Sequence, residues 1–337
     1  MVSPLIQSEV SSTNPTPDPV APHHRPTLGA LWSLLLYILL LAGLWGAQQI
    51  LFIAAATHST PPTVAAPSSP ITNDLPLAPY IIIEAIDFAA ILIVSLFMAT
   101  LEDRRIGVFG LGGNHLLARL LHGALWGLIA MSILIVTLRS LHLLVFDTRV
   151  IHGPAILAAG ASQLFLFLLV GLFEEYLFRG YIQFTLTRGL LGLLSFGNRL
   201  SPRYARTIAF WIAALLTSAF FLYAHTRNIG ENWLGLLQIF LAGIVFVFAL
   251  WRTGSLWWGI GFHMAWDWSQ SFLYGVPDSG GLLQGRLFST HALGKPLLSG
   301  GTVGPEGSIL CVPVFLLTIA VLCFTRSSPQ PSLETDS

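Results

Sequence analysis

Residues 164–188 read LFLFLLVGLFEEYLFRGYIQFTLTR, an apolar stretch interrupted by two adjacent glutamates and an arginine. The stretch is long enough to cross a membrane as a helix. A charge at bilayer depth costs roughly 2.5–3.5 kcal/mol on insertion scales, and charges retained there usually belong to a functional site. We therefore expect Glu174, Glu175 and Arg179 to lie at the centre of this protein's function.

Helical spacing gives the two glutamates different roles. Glu175 and Arg179 are four residues apart with the acid on the N-terminal side, which is the favourable orientation for an ion pair. Glu174 lies about 100° around the helix from Glu175. Glu174 is therefore the candidate reactive carboxylate, and Glu175 and Arg179 are supporting residues.

The composition is that of a membrane protein. Charged residues make up 9% of the chain and hydrophobic residues 54%, with a mean hydropathy of +0.73, whereas soluble proteins carry about 25% charged residues. We predict an all-α polytopic membrane protein whose helices, about eight in number, form a bundle. A formal net charge of zero gives no electrostatic reason to expect nucleic acid as a partner.

Five parts follow one another along the chain. Residues 1–27 are polar and proline-rich, which is typical of a disordered tail. Residues 28–153 hold the N-terminal transmembrane helices and their linkers, and residues 154–274 hold the charged helix and its neighbours. Residues 275–308 form a Gly/Ser-rich loop without strand alternation, which is either a mobile cap or a disordered connector. Residues 309–337 contain the last transmembrane helix and a C-terminal tail.

Hydrophobic runs place the transmembrane helices within these parts. The eight expected spans are 28–56, 80–101, 118–146, 154–187, 206–224, 233–251, 255–274 and 309–324. Gly123 and Gly127 form a GxxxG pattern, which indicates close helix packing. Glu84 and Asp87 near the start of the second span are interpreted as an interfacial pair that reaches water, with a place in a cavity as the alternative.

The distribution of basic residues predicts the orientation in the membrane. With the amino terminus inside, arginines concentrate on the inner segments, notably the four that follow the charged helix, Arg188, Arg199, Arg203 and Arg206. The positive-inside rule then places both termini in the cytoplasm.

Two further helices carry histidine within apolar sequence. Phe221 to His225 reads FLYAH at the end of one span, and His263 to Asp267 reads HMAWD inside another. Because His263 and Asp267 are four residues apart, they share one face. A carboxylate with imidazoles beside it can take a proton from water and later protonate a leaving amine, which is the chemistry of peptide hydrolysis.

A metal mechanism is the alternative for the same residues. Glu174, His225 and His263, with Asp267 as a further candidate, are residue types that bind zinc, and zinc lowers the pKa of bound water to about 7. No local metal-binding motif such as HExxH is present. Counted at about 1.5 Å per residue, His225 lies nearer the outer face than Glu174 and His263. This mismatch in depth favours Glu174 acting directly as a base.

These motifs resemble those of the CPBP family of intramembrane proteases, which contains the type II CaaX prenyl proteases and the bacteriocin-processing and self-immunity (Abi-like) proteins. EEYLFR at 174–179 is similar to the family's EExxxR, FLYAH at 221–225 to its FxxxH, and HMAWD at 263–267 to its HxxxN or HxxxD element. The resemblance covers about residues 160–274, so 154–274 would be the protease core. Asp267 stands where many members carry asparagine.

The resemblance implies an intramembrane endopeptidase. Glu174 would activate water, His225 and His263 would assist, and Asp267 would belong to the catalytic group, with Phe221 as a supporting residue. It implies a multi-pass protein in the cytoplasmic membrane of a bacterium that acts on a peptide or membrane-protein substrate.

Two functions of other classes compete with proteolysis. One is a catalytically silent binding or immunity protein on the same fold. The other is a proton-coupled transporter, because intramembrane Glu, His and Arg also serve proton relays. Loss of substrate cleavage in a Glu174 variant would distinguish a protease from both.

Overall fold

The computed structural model describes residues 27–58, 74–196, 200–228 and 230–325. Residues 1–26 of the expected N-terminal tail and residues 326–337 of the expected C-terminal tail lie outside the described residues. The helices are α1 Thr27–His58, α2 Leu77–Leu101, α3 Leu116–Ser140, α4 Ala155–Glu175, α5 Gln183–Ser195, α6 Pro202–Ala224, α7 Trp233–Thr253, α8 Trp257–Trp268, α9 Pro296–Ser299 and α10 Cys311–Phe324; the strands are β1 Leu144–Arg149 and β2 Phe288–Ala292.

The prediction of an all-α polytopic membrane protein is confirmed. Six helical segments of the described chain are long and apolar enough to cross a membrane. The expected number of eight is approximate, because α8 and α10 are apolar but shorter than a full span. The longest segment, Ala155–Ser195, joins α4 to α5 through the π-helical turns Tyr176–Ile182 and runs for 41 residues.

Local sequence explains where several helices begin and end. Pro202 occupies the first turn of α6, where its missing N–H costs nothing. The Asn232 side chain caps α7 by accepting hydrogen bonds from the backbone N–H groups of Leu234 and Gly235. Gly254 ends α7 in the left-handed conformation that glycine adopts most readily.

Helices α3 and α8 pack backbone to backbone, as the GxxxG pattern predicts. A Cβ added at Gly123 would lie 2.0 Å from the Trp258 carbonyl oxygen, and one added at Gly261 would lie 2.0 Å from that of Leu120. Only glycine permits this approach. The contact fixes α8, which carries His263 and Asp267, against the bundle.

The segment 275–308 forms a folded cap on the bundle, and two sequence expectations need correction here. The expected third span to 146 ends at Ser140, and β1 then pairs with β2 in an antiparallel ribbon. The loop expected to lack strands therefore contains one. The cap is also joined to the start of α2 by a backbone bridge between Leu75 and Leu283 and by the Arg286–Asp74 ion pair at 2.5 Å.

Candidate active site

Glu174 lies in the last turn of α4, immediately before the π-helical turns Tyr176–Ile182. Such turns are rare and occur frequently at functional sites. The position is near the middle of the 41-residue helix Ala155–Ser195. The charged motif is therefore deep within the bundle and far from either helix end.

The predicted Glu175–Arg179 ion pair is present and fully buried. Arg179 Nη1 donates to Glu175 Oε1 at 3.1 Å, and the two residues are 2% and 1% exposed. The guanidinium carbon lies 4.2 Å from the centre of the Phe221 ring, which gives a cation–π contact. Phe221 thus supports the arginine, and it also packs against the His225 ring.

Glu174 faces two imidazoles from two other helices. Its Oε1 lies 3.8 Å from His225 Nε2, and its Oε2 lies 3.6 Å from His263 Nε2. The His225 Nδ1 lies 2.8 Å from the Phe221 carbonyl oxygen. Because that oxygen can only accept, Nδ1 carries a proton and Nε2 is directed at Glu174.

The depth calculation that separated His225 from Glu174 is wrong, because it took the charged helix to end at residue 187. The helix continues to Ser195. At 1.5 Å per residue, Glu174 then lies about 32 Å from the C-terminal end of its helix and His225 about 35 Å from the start of α6 at Pro202. The two side chains are therefore at similar depths.

His263 joins both glutamates to Asp267. Its Nδ1 lies 3.3 Å from Glu175 Oε1, and its Nε2 lies 3.3 Å from Asp267 Oδ2, the pair expected from their spacing. Helix α8 reaches this depth because it begins inside the bundle, where the Leu256 N–H donates to the Gly110 carbonyl at 3.0 Å. A proton on Nε2 or on Asp267 is needed between them, since both atoms are otherwise acceptors.

These groups line a groove of about 630 Å³ with apolar walls. All the candidate catalytic residues contribute to its surface: Glu174, His225, His263 and Asp267. The groove is large enough for a segment of peptide. Carboxylate and imidazole groups are thus exposed to a common space inside a helical bundle.

Glu84 also lines this groove, so the interfacial interpretation of this residue is wrong. Its Oε2 is buried and has no hydrogen-bond partner. The sequence contained a signal, because Glu84 lies seven residues into an apolar helix. The same charge is compatible with a position near the membrane surface, and only the packing of α2 against α4 decides between the two.

Two acidic residues of the cap reach the same region and were not expected from the sequence. Asp278 lines the groove, and Asp278 and Glu306 line a smaller space beside it. Ser271 Oγ donates to Asp278 at 3.3 Å, while the Ser279 N–H donates to Glu306. Burial is the main cause that raises the pKa values of both cap carboxyls.

The structure gives no support for the zinc alternative. Among the residues that the structure describes, no group of three or more His, Cys, Asp or Glu side chains is placed to hold a metal ion. Glu174, His225 and His263 surround a space that a water molecule can contact, since the separations of 3.6 and 3.8 Å exceed a direct hydrogen bond.

Comparison with known proteins identifies the segment that carries the site. Residues 156–269 match the model of the type II CAAX prenyl endopeptidase Rce1-like family. The match contains all three motifs and confirms the resemblance drawn from them. No curated protein and no solved structure matches the chain. The chain is therefore an integral, multi-pass membrane protein, and its residues 156–269 are similar to a protease family.

Proposed function

We propose that the protein is an intramembrane endopeptidase in which Glu174 activates the water that attacks a peptide bond. The observation that carries this proposal is the position of Glu174. It is the carboxylate without an arginine partner, it faces two imidazoles at 3.6 and 3.8 Å, and it borders a groove inside the bundle.

In the proposed reaction, Glu174 takes a proton from water as the oxygen attacks the carbonyl carbon of the substrate. A protonated Nε2 of His263 or His225 stabilises the oxyanion that develops. Glu174 then gives the proton to the leaving amine as the carbon–nitrogen bond breaks. Atoms balance, because one water becomes the hydroxyl of the new carboxyl group and the second proton of the new amine.

Glu175, Arg179 and Asp267 position the reacting groups. Arg179 neutralises Glu175, and Glu175 accepts from Nδ1 of His263. This hydrogen bond directs the other ring nitrogen at the groove. Asp267 lies at that nitrogen and favours the imidazolium, because opposite charges at 3.3 Å attract strongly in a low dielectric.

The substrate in this proposal is a peptide or a membrane-protein segment that enters the groove from the bilayer. The family that residues 156–269 match is that of the type II CAAX prenyl endopeptidases. The groove walls are apolar, formed by Leu166, Phe167, Val170, Phe173, Leu177 and Phe220, which suits a hydrophobic segment whether or not it is prenylated. The membrane is proposed to be the cytoplasmic membrane of a bacterium, with both termini inside.

Proteolysis is tested by comparing cleaved membrane-protein termini in cells that carry the wild type or Glu174→Gln. The amide keeps the size of the side chain and cannot take a proton, so we expect a set of termini to disappear while the protein remains inserted. Asp147→Asn, a variant of a half-exposed acid in β1, is the matched control. Identical termini in all three strains would refute the proposal.

The metal alternative is tested by elemental analysis of active purified protein. We expect activity without stoichiometric metal, since no described set of side chains has ligand geometry. About one zinc per chain, lost together with activity in His263→Ala and restored by added zinc, would replace the direct mechanism with a metal-assisted one.

A further inference from the structure

A side pocket opens from the groove next to the proposed catalytic residues. It holds about 80 Å³ and shares His225, His263, Asp267 and Asp278 with the groove. A cavity needs about 10–15 Å³ of such volume to hold one water molecule, so the pocket has room for roughly five to eight water-sized groups. That volume suits a single long side chain.

Acidic side chains outnumber basic ones among the residues that line the side pocket. Asp267, Asp278 and Glu306 contribute three carboxyl groups, and neither lysine nor arginine is among the lining residues. The imidazoles of His225 and His263 are the basic groups among the lining residues. Buried carboxyl groups without a matching cation are costly, which leaves protonation or a bound cation as ways to balance them.

Gln238 supplies independent evidence for a missing donor. The residue is 1% exposed and lines the pocket, and its Nε2 donates to the Ser308 carbonyl oxygen at 3.2 Å. Its Oε1 is buried and has no hydrogen-bond partner. A buried amide oxygen normally has a donor, and here the donor would have to enter the pocket.

The remaining walls favour an organic cation over a metal ion. Five aromatic rings line the pocket: Phe221, Phe246, Phe262, Trp266 and Phe315. Aromatic faces attract ammonium and guanidinium groups, whereas hard metal ions require several closely grouped oxygen ligands. Among the described residues no group of three acids has that arrangement.

We infer that the side pocket binds the lysine or arginine side chain of a substrate residue adjacent to the scissile bond. The adjacency follows from His263, whose Nε2 lies 3.6 Å from Glu174 and 3.3 Å from Asp267. The aromatic rings would hold the aliphatic part of the side chain, and the carboxyl groups with Gln238 would receive its N–H donors. That the bound side chain belongs to a substrate rests on the proposed function, but the binding of an organic cation in the pocket does not.

Binding is tested on the purified full chain by its melting temperature in increasing n-butylammonium chloride, which mimics a lysine side chain. Sodium chloride and 1-butanol at equal concentrations control for ionic strength and for the apolar chain. We expect n-butylammonium alone to stabilise the wild type and Glu174→Gln equally. An equal effect of either control, or no effect of n-butylammonium, would overturn the inference.

Pocket variants locate the binding. Asp278→Asn is expected to weaken the apparent affinity for n-butylammonium at least tenfold, which corresponds to about 1.4 kcal/mol. Gln238→Leu provides a second variant if Asp278→Asn does not fold, and Asp147→Asn in β1 serves as the matched control outside the pocket. Affinity unchanged in a folded pocket variant, or equally lost in Asp147→Asn, would contradict the assignment.

Cleavage-site sequences separate the failure of this inference from the failure of the proposed function. Termini that depend on Glu174 are expected to carry lysine or arginine next to the cleaved bond. Glu174-dependent termini without that enrichment would remove the side pocket as a specificity site and leave the protease intact. Binding of n-butylammonium without any Glu174-dependent termini would support the side pocket as a cation site and refute the proposed protease function.

Discussion

Two clusters of buried carboxyl groups in this molecule differ in how their charges are matched. In the first cluster, Glu102 accepts from Arg188 Nη1 at 2.6 Å and from the Tyr181 hydroxyl at 3.1 Å, and Arg104 Nε lies 3.4 Å away. One acid therefore meets two arginines and a phenol. This cluster ties α2 to the continuous helix Ala155–Ser195.

In the groove, by contrast, the carboxyl groups are not matched by arginine or lysine side chains in equal number. Glu84, Glu174, Asp267 and Asp278 line it, and Arg227 is the single lysine or arginine among the lining residues. Acids outnumber bases, and the Oε2 atom of Glu84 has no partner. A matched cluster lowers the energy of the folded state, whereas an unmatched one keeps groups available for water, protons or a ligand.

The largest effect that tests this comparison is expected from the two histidines. His225→Gln and His263→Gln should each reduce cleavage by about 10²–10⁴-fold, the usual contribution of a positioned acid or base. The melting temperature of His225→Gln should change little, because that side chain borders the groove. His263→Gln should also lower the melting temperature, because His263 is buried and pairs with Glu175 and Asp267. Measured turnover of purified variants decides this, and activity near that of the wild type would remove the histidine from the mechanism.

Arg179→Ala tests the matched part of the site. The substitution leaves Glu175 buried without its partner, and an orphaned buried charge costs about 3–5 kcal/mol. We expect a lower melting temperature in detergent and poor yield of folded protein. Arg227→Ala is the matched control, because Arg227 lies in the turn after α6 at the groove mouth. Equal melting of Arg179→Ala and wild type would contradict the assigned ion pair.

A smaller effect is expected at the Glu102 cluster. Burial opposes ionisation of Glu102, but the charge and hydrogen bond of Arg188 outweigh it and lower the pKa of Glu102. A lowered folded-state pKa stabilises the protein above the unfolded pKa, and this stabilisation is lost as the pH falls through the folded pKa.

Glu102→Gln should therefore cost about 1–3 kcal/mol at neutral pH, and the difference from the wild type should shrink in acid. Melting temperatures of both proteins between about pH 7 and pH 3 measure this. Cleavage at neutral pH and moderate temperature should be retained. If the difference in melting temperature between the two proteins grew in acid, the ionised carboxylate of Glu102 would not be what stabilises this cluster.

Much of the site was predictable because membrane helices constrain sequence so strongly. The Glu175–Arg179 and His263–Asp267 pairs follow from four-residue spacing on a helix, and both are present. Because charges are rare in an apolar stretch, the sequence directly indicated Glu174 as a candidate site residue. Glu84 carried the same signal, but its depth was misjudged because a charge near a helix start fits both an interface and a cavity.

The sequence alone determined the all-α membrane fold, the three motifs and the pairing of Glu175 with Arg179, because these depend on local composition and on helical periodicity. Tertiary structure decided the depth of His225, through a helix that continues through π-helical turns to Ser195. It also brought Asp278 and Glu306 to the pocket through a ribbon whose strands are more than a hundred residues apart. Such long-range contacts leave no periodic trace in a single chain, since loop residues are placed by the partners they meet and not by their neighbours.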